Sequence, residues 1–332
     1  MTRRARRIAW IIIGLLLLAG AAALCVLRWN AWFVNPPEPE VDSSDTLVFR
    51  FHTFGQDSVP GFELQQKGWV ETDDNGSELC FMLLGDVHNA LTHADWQKLG
   101  ERFPDLDFYV QAGDFVERGY AYYFRQLYHQ LSGTLFEQLP IMAVPGNHEY
   151  TKGVVRRLPP IWAENFPNPQ NGPERYLGSS YYVDFPKLRL VMIDTNGLQK
   201  LSDFTLLNAW TKQVIREANG RYTIAVMHHP VFSSCKGRQN VRIYSTFRVA
   251  LMDADLVFSG HDHTYSRRGK YICTNAAKKH YEIKDSGAFD KLVSEGQFYQ
   301  VLTLRGDSLT MRAYELETGQ QFDEVVLTKP CR

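Results

Sequence analysis

The sequence predicts an α/β (α+β) fold of two β-sheets packed together with helices outside, preceded by one N-terminal membrane helix. Three observations predict it. Short apolar runs that end at glycine alternate with stretches long enough for crossover helices, as parallel βαβ units require. The last third of the chain changes to closely spaced strands with a Gly306-Asp307-Ser308 turn, the pattern of an antiparallel meander. The amino end carries an uncharged run, residues 8–27, of about twenty residues, the length that spans a bilayer core as a helix.

In chain order, residues 1–7 hold Arg3, Arg4, Arg6 and Arg7, against Arg28 alone just after the run. That asymmetry predicts a signal anchor with the amino terminus in the cytoplasm and everything beyond residue 28 outside it. The alternative is a cleaved signal peptide with a small-residue site at Ala21-Ala22-Ala23 and a secreted product, but its apolar region would be shorter. Residues 28–45 supply Trp29, Trp32 and Phe33 for an interfacial belt, then a proline- and acid-rich stretch expected to form an extended tether. One folded domain is expected over residues 46–330, because no internal repeat or second linker interrupts it. Its predicted strands are 79–84, 108–112, 141–144, a hairpin of 181–185 and 188–193 around Pro186-Lys187, then 222–227, 256–258, 298–304, 309–314 and 325–327. Leu207, Trp210 and Val214 recur at helical spacing between them. A net charge of −1 lacks the positive excess of a nucleic-acid binder, so no nucleic-acid partner is expected. Of the five cysteines, Cys25 lies in the membrane run and Cys80 in a predicted strand. Cys235, Cys273 and Cys331 remain, and a Cys235–Cys273 disulfide is expected if the compartment is oxidising.

The strand ends carry the chemistry. Leu83-Leu84 runs into Gly85-Asp86-Val87-His88, and the pattern returns at Gly113-Asp114, at Gly146-Asn147-His148-Glu149, at His228-His229-Pro230 and at Gly260-His261-Asp262-His263. Ligands collect beyond the carboxyl ends of strands in open α/β sheets. Zinc, manganese and iron accept imidazole and carboxylate together, and a close pair of ions needs a carboxylate that bridges. Each turn has a plainer alternative: a capping Asp86, a helix-capping Asn147, a core His228, or His261 and His263 lining one face of an extended segment. All of these would have to hold at once.

In order and spacing, these turns resemble the signature blocks of the calcineurin-like metallophosphoesterases, and the likeness runs over about residues 79–328. The resemblance implies a four-layer αββα sandwich with two metal ions at one edge, making residues 46–330 a metallophosphoesterase domain. Ser180 to Phe185, Leu190 to Thr195 and Gly260 to Arg267 resemble the purple acid phosphatase branch. Carried over, the family pattern makes Asp86, His88 and His263 ligands of one metal, Asn147, His228 and His261 ligands of the other, and Asp114 the bridge. His148 matches the residue that the family places near the leaving-group oxygen, and Asp262 matches no ligand, which leaves it to support its neighbours or face solvent. Two departures shape the expectation. Purple acid phosphatases place a tyrosine three residues after the bridging aspartate, where this chain has Glu117, and they lack the imidazole of His88. The resemblance therefore implies manganese, iron or zinc without an iron-tyrosinate centre. Gly113 to Gly119 resembles instead the block of protein serine/threonine phosphatases, which makes Arg118 a candidate phosphate clamp against the alternative of a surface ion pair.

The implied activity is hydrolysis of a phosphate monoester on a phosphorylated small molecule, by a hydroxide held between the two metals, with His148 as general acid, on an enzyme fixed to a membrane and facing away from the cytoplasm. Alternatives are a phosphodiesterase acting on a nucleotide or lipid headgroup, a protein serine/threonine phosphatase, and a binding module that keeps the fold without activity.

Overall fold

A computed structural model of the chain describes residues 3–29, 35–47, 49–72, 78–153, 155–284 and 287–329. The expected belt residues Trp32 and Phe33, and Cys331 near the carboxyl end, lie outside the described residues. Helix α1 (Arg3–Trp29) contains the stretch Trp10–Arg28, of mean hydropathy 2.7, long and apolar enough to cross a membrane and with none of it buried against the rest of the chain. A small hairpin, β1 (Phe62–Gln65) and β2 (Gly68–Glu71), precedes the main body. Its amino-terminal half runs β3 (Glu78–Leu84), α2 (His93–Arg102), β4 (Phe108–Gln111), α3 (Ala121–Leu131), β5 (Ile141–Ala143) and a short α4 (Ile161–Asn165). Then come β6 (Tyr181–Asp184), β7 (Leu188–Ile193), α5 (Leu201–Arg216), β8 (Tyr222–Met227), α6 (Val241–Ala250) and β9 (Leu256–Ser259). The chain ends in β10 (Tyr265–Arg268), β11 (Tyr271–Cys273), β12 (Lys291–Val293), β13 (Phe298–Arg305), β14 (Ser308–Glu315) and β15 (Gln321–Thr328).

Strand periodicity sorts these residues into layers. Successive side chains of a strand point to opposite faces, so a strand that is apolar throughout must be covered on both. In β3, Phe81 and Leu83 enter the core between the two sheets, while Met82 and Leu84 pack outward against α2 and α3 with Trp96, Leu99, Phe124 and Leu127. In β7, Leu190 and Met192 face the same central core, while Val191 and Ile193 meet α5 and α6 through Leu207, Val214 and Phe247. The result is helix, sheet, sheet, helix. One sheet has the order β15-β14-β13-β3-β4-β5 and the other β12-β10-β11-β9-β8-β7-β6. Because β3, β4 and β5 are parallel in one sheet and β7, β8 and β9 are parallel in the other, each group delivers its carboxyl ends together.

Local chemistry sets the helix starts. Thr92 and Asp95 form a reciprocal capping box on α2, and Asn240 Oδ1 accepts the N–H groups of Arg242 (3.1 Å) and Ile243 (3.2 Å) at the start of α6. The hairpin β1–β2, helix α6 and the short strands β10 to β12 have no counterpart among the sequence-based expectations. The strands have three or four residues each, too few for a period to show, and sheet pairing holds them.

Residues 35–47 run along α3. Asp45 pairs with Arg125 (3.0 Å) and His129 (2.7 Å), and the Tyr122 N–H donates to Glu38 (3.1 Å). The expected Cys235–Cys273 disulfide is not formed. Each buried thiol instead donates to a carbonyl of the His261 turn, Cys235 to Asp262 (3.2 Å) and Cys273 to Gly260 (3.1 Å), so each sulfur is already committed to that backbone.

Candidate metal centre

The parallel strands end where the backbone turns sharply. Asp86 follows β3, Asp114 follows β4, Asn147 follows β5, His228 follows β8 and His261 follows β9. Asp86, His88, Asp114, His261 and His263 all have positive φ, between 45° and 72°. Non-glycine residues rarely take this conformation, which costs roughly 1–2 kcal/mol each and persists where surrounding structure enforces it, commonly at functional sites. The turns also pack without clearance. A Cβ on Gly146 would lie 2.1 Å from Asp114 Oδ1, and one on Gly260 would lie 2.2 Å from Asp86 Oδ2.

Two sets of donor atoms result, and they share one carboxylate oxygen. In the first set, Asp86 Oδ1 lies 3.4 Å from His263 Nε2 and 3.8 Å from His88 Nε2, and the two imidazole nitrogens are 3.4 Å apart. In the second, His228 Nε2 lies 3.2 Å from both Asn147 Oδ1 and His261 Nδ1. Asp114 Oδ2 stands 3.6 Å from His88 Nε2 and 3.3 Å from His228 Nε2, between the sets. Ligand bonds of about 2.0–2.2 Å place neighbouring donors about 2.8–3.6 Å apart in tetrahedral or octahedral sites, and every separation given above except Asp86 to His88, at 3.8 Å, falls in that range and suits a cation within each set. Asp86 Oδ1, fully buried, accepts no hydrogen bond, which leaves its lone pairs available to a cation.

The surrounding bonds aim the donors. His228 Nδ1 and His263 Nδ1 sit against the carbonyls of Ala112 and Lys279, both at 3.1 Å, which directs each Nε2 inward. Asp86 Oδ2 accepts the His261 N–H (2.6 Å), and Asp114 Oδ1 accepts the His148 N–H (2.7 Å). Electrostatics mark the same spot. Burial alone would lower His228, but the Asp114 carboxylate outweighs it and pushes the imidazole up to about 9. Burial would likewise raise Asp114, yet His228, followed by His148 and His88, holds it well below the usual carboxylate range. A buried Asp114 carboxylate that keeps its negative charge and favours the charged form of the His228 imidazole facing it favours a metal cation at that place for the same reason.

His148 lies beside the first set. Its ring is 4.3 Å from that of His88, and its Nδ1 donates to the Glu117 carbonyl (2.7 Å). Burial lowers its pKa, and Asp114 offsets part of that. Arg118 lines a small cleft with His148, Tyr120 and Asn35. Asp262 is fully buried and does not face solvent. It accepts from Ser233 Oγ (2.6 Å), the Ser234 N–H (3.0 Å) and Arg238 (3.4 Å), and so braces the turn between two donor histidines.

Several residues hold places at the site that the sequence reading does not assign to them. Glu149 is buried and accepts the N–H groups of Gly146 (2.6 Å), Asp114 (3.0 Å) and Val116 (3.0 Å), clasping two of the turns. Glu117 places Oε2 3.4 Å from His88 Nδ1. Lys152 donates to the Asn147 carbonyl (3.1 Å). The one signal for Glu149 is an acid within an otherwise apolar and metal-donor block; Lys152 carries none.

A family model described as calcineurin-like phosphoesterase matches residues 80–265. A sequence search of curated proteins finds no match to the chain. Among solved structures, the fold is similar to GAP50, the anchor in the inner membrane complex of Plasmodium, with a TM-score of 0.59 and 14% identity over 77% of this chain and 90% of that one. It is also similar to purple acid phosphatase PPD1 from yellow lupin (Lupinus luteus) seeds, with a TM-score of 0.58 and 14% identity over 79% of this chain and 56% of that one. At such identity the likeness is one of fold.

Proposed function

Because the chain belongs to the calcineurin-like phosphoesterase family, matched over more than half of its length, we propose that it is a membrane-anchored, extracytoplasmic phosphomonoesterase working with two metal ions. The observation that carries this reading is Asp114 Oδ2, shared between two donor sets, Asp86, His88 and His263 on one side and Asn147, His228 and His261 on the other. These residues would hold two cations of the manganese, iron or zinc type, which when bound would supply Lewis acidity for acidifying water and offsetting charge on the phosphoryl oxygens. The protein's own groups do the rest. His148 has Nδ1 committed to the Glu117 carbonyl, so Nε2 is the nitrogen left for the departing oxygen, and it donates there in the doubly protonated form of the ring. Arg118 shares the cleft with His148 and binds the phosphate oxygens, and the Lys152 ammonium beside it adds positive charge. The membrane run and the arginines before it support an outward-facing domain.

Purified protein supplied with manganese, zinc or iron and given an aryl phosphomonoester, then an aryl phosphodiester, tests the reading. Faster turnover of the monoester is expected. Faster turnover of the diester would make the protein a phosphodiesterase. Two bound ions with no turnover of either would favour a binding role, for which the fold shared with an anchor of a membrane complex is the support.

A further inference from the structure

The chain that leaves the membrane helix is held against the metal centre. Helix α1 ends at Trp29, and six residues later the Asn35 side chain grips Lys152 twice, donating to its carbonyl (2.6 Å) and accepting from its N–H (2.7 Å). The Pro36 carbonyl then accepts from Tyr120 Oη (2.8 Å). Asn35, Arg118, Tyr120 and His148 line the same cleft. Six residues reach at most about 20 Å when fully extended, so the His148 side of the site stays within roughly that distance of the helix end. Residues 28–45, left free, would allow roughly 60 Å.

The loop that Asn35 grips has the composition of a membrane-surface contact. Its neck is closed by the Thr151 N–H donating to the Arg157 carbonyl and the Arg157 N–H donating to Thr151 Oγ1, both at 2.9 Å. Between them Val155 is 61% exposed, with Arg156 and Arg157 exposed beside it. An exposed apolar side chain followed directly by two exposed arginines suits the boundary between headgroups and acyl chains in an anionic bilayer.

Resting on the phosphoesterase reading above, we propose that this loop lies on the anchoring membrane and that the site takes its phosphate monoester from an amphiphile resident in the same bilayer, a phosphorylated lipid headgroup. The acyl chains stay in the bilayer, and only the headgroup enters beside Arg118 and His148. In the reaction a water oxygen joins phosphorus, the bond from phosphorus to the lipid oxygen breaks, and that oxygen takes a proton, giving inorganic phosphate and the lipid alcohol.

The test uses the full chain, reconstituted with manganese into vesicles of zwitterionic and anionic phospholipid that carry a diacylglycerol phosphomonoester. Free glycerol phosphate and a soluble aryl phosphomonoester serve as comparisons. We expect kcat/KM on the embedded lipid to exceed that on glycerol phosphate by about tenfold or more. Arg157→Glu should lower the vesicle rate about fivefold or more, the scale of one basic residue at an anionic surface, and Val155→Asp should lower it as well. Neither variant should change hydrolysis of the aryl ester. Equal rates on embedded and free headgroup, equal losses on the aryl ester, or amino-terminal sequencing that finds a soluble chain beginning near Leu24 would overturn the inference while leaving the phosphoesterase reading intact. Failure to hydrolyse the aryl ester or the lipid with any of the metals would overturn both.

Discussion

Asp114 holds its two oxygens to different tasks. Oδ1 accepts the His148 N–H, and Oδ2 stands between His88 and His228. Asp114→Asn keeps the shape but removes the negative charge that two cations would share. The expected outcome is loss of at least one ion by metal analysis and a fall in kcat of about 10³ or more, since each such ion stabilises the transition state by several kcal/mol. Two ions per chain with near-normal turnover would remove the bridging role. His148 offers a contrast, because its ring is anchored by the Glu117 carbonyl and not by the donor sets. His148→Ala should keep its metal content and lose about 10²–10⁴ in kcat, most on esters with poor leaving groups. Equal losses on good and poor leaving groups would mean that the imidazole positions phosphate.

The turns after β4 and β5 depend on one carboxylate. Glu149 accepts three backbone N–H groups from two separate segments, and burial together with the Asp114 charge raises its pKa without depriving it of those donors. Glu149→Ala strands three buried donors, at about 1–3 kcal/mol each, so denaturant unfolding should show a loss of roughly 3 kcal/mol or more. A change within experimental error would show that the turns hold themselves. The left-handed residues of the strand-end turns make the same point: six strained non-glycine positions, Asp86, His88, Asn89, Asp114, His261 and His263, gather at one edge, where contacts between elements hold them.

At the scale of the whole molecule, the meander is stitched to the second sheet by Asp323. Its carboxylate accepts from Arg267 Nε and Tyr265 Oη, both at 2.7 Å, joining β15 to β10 across the two sheets. Burial would raise Asp323, but the bonds from Arg267 and Tyr265 outweigh it and the pKa is lowered. A carboxyl depressed in the folded state contributes stability that is complete above its unfolded value of about 4 and is lost as pH falls through its folded value. Asp323→Asn should therefore lower the melting temperature at neutral pH and flatten its decline below about pH 4, measured as Tm against pH in both proteins. Parallel curves would show that the link does not report on acid stability.

The sequence by itself determines the layers and the five strand-end turns. Strands that are apolar on both faces have to be covered on both, and a metal-type donor, after a glycine in every case but His228, breaks that pattern at each carboxyl end, so Asp86, Asp114, Asn147, His228 and His261 are legible as a recurring set although each alone has a plainer alternative. It also determines that the amino end holds a run long and apolar enough to cross a membrane, because twenty uncharged residues behind four arginines need no partner to be read. Only the tertiary structure decides what those residues meet. The shared position of Asp114 Oδ2 depends on two sheets placing their parallel ends at one edge, and no spacing along the chain encodes a distance between sheets. The Cys235–Cys273 pairing was misjudged for the same reason: what each sulfur meets is a backbone carbonyl of the His261 turn, which appears only after folding. The grip of Asn35 on Lys152 joins residues 117 positions apart, and neither carries a local signal of the other. Hydrogen bonds between distant segments form because loop closure has already been driven by the burial of the core, so they follow from the fold and cannot be read ahead of it.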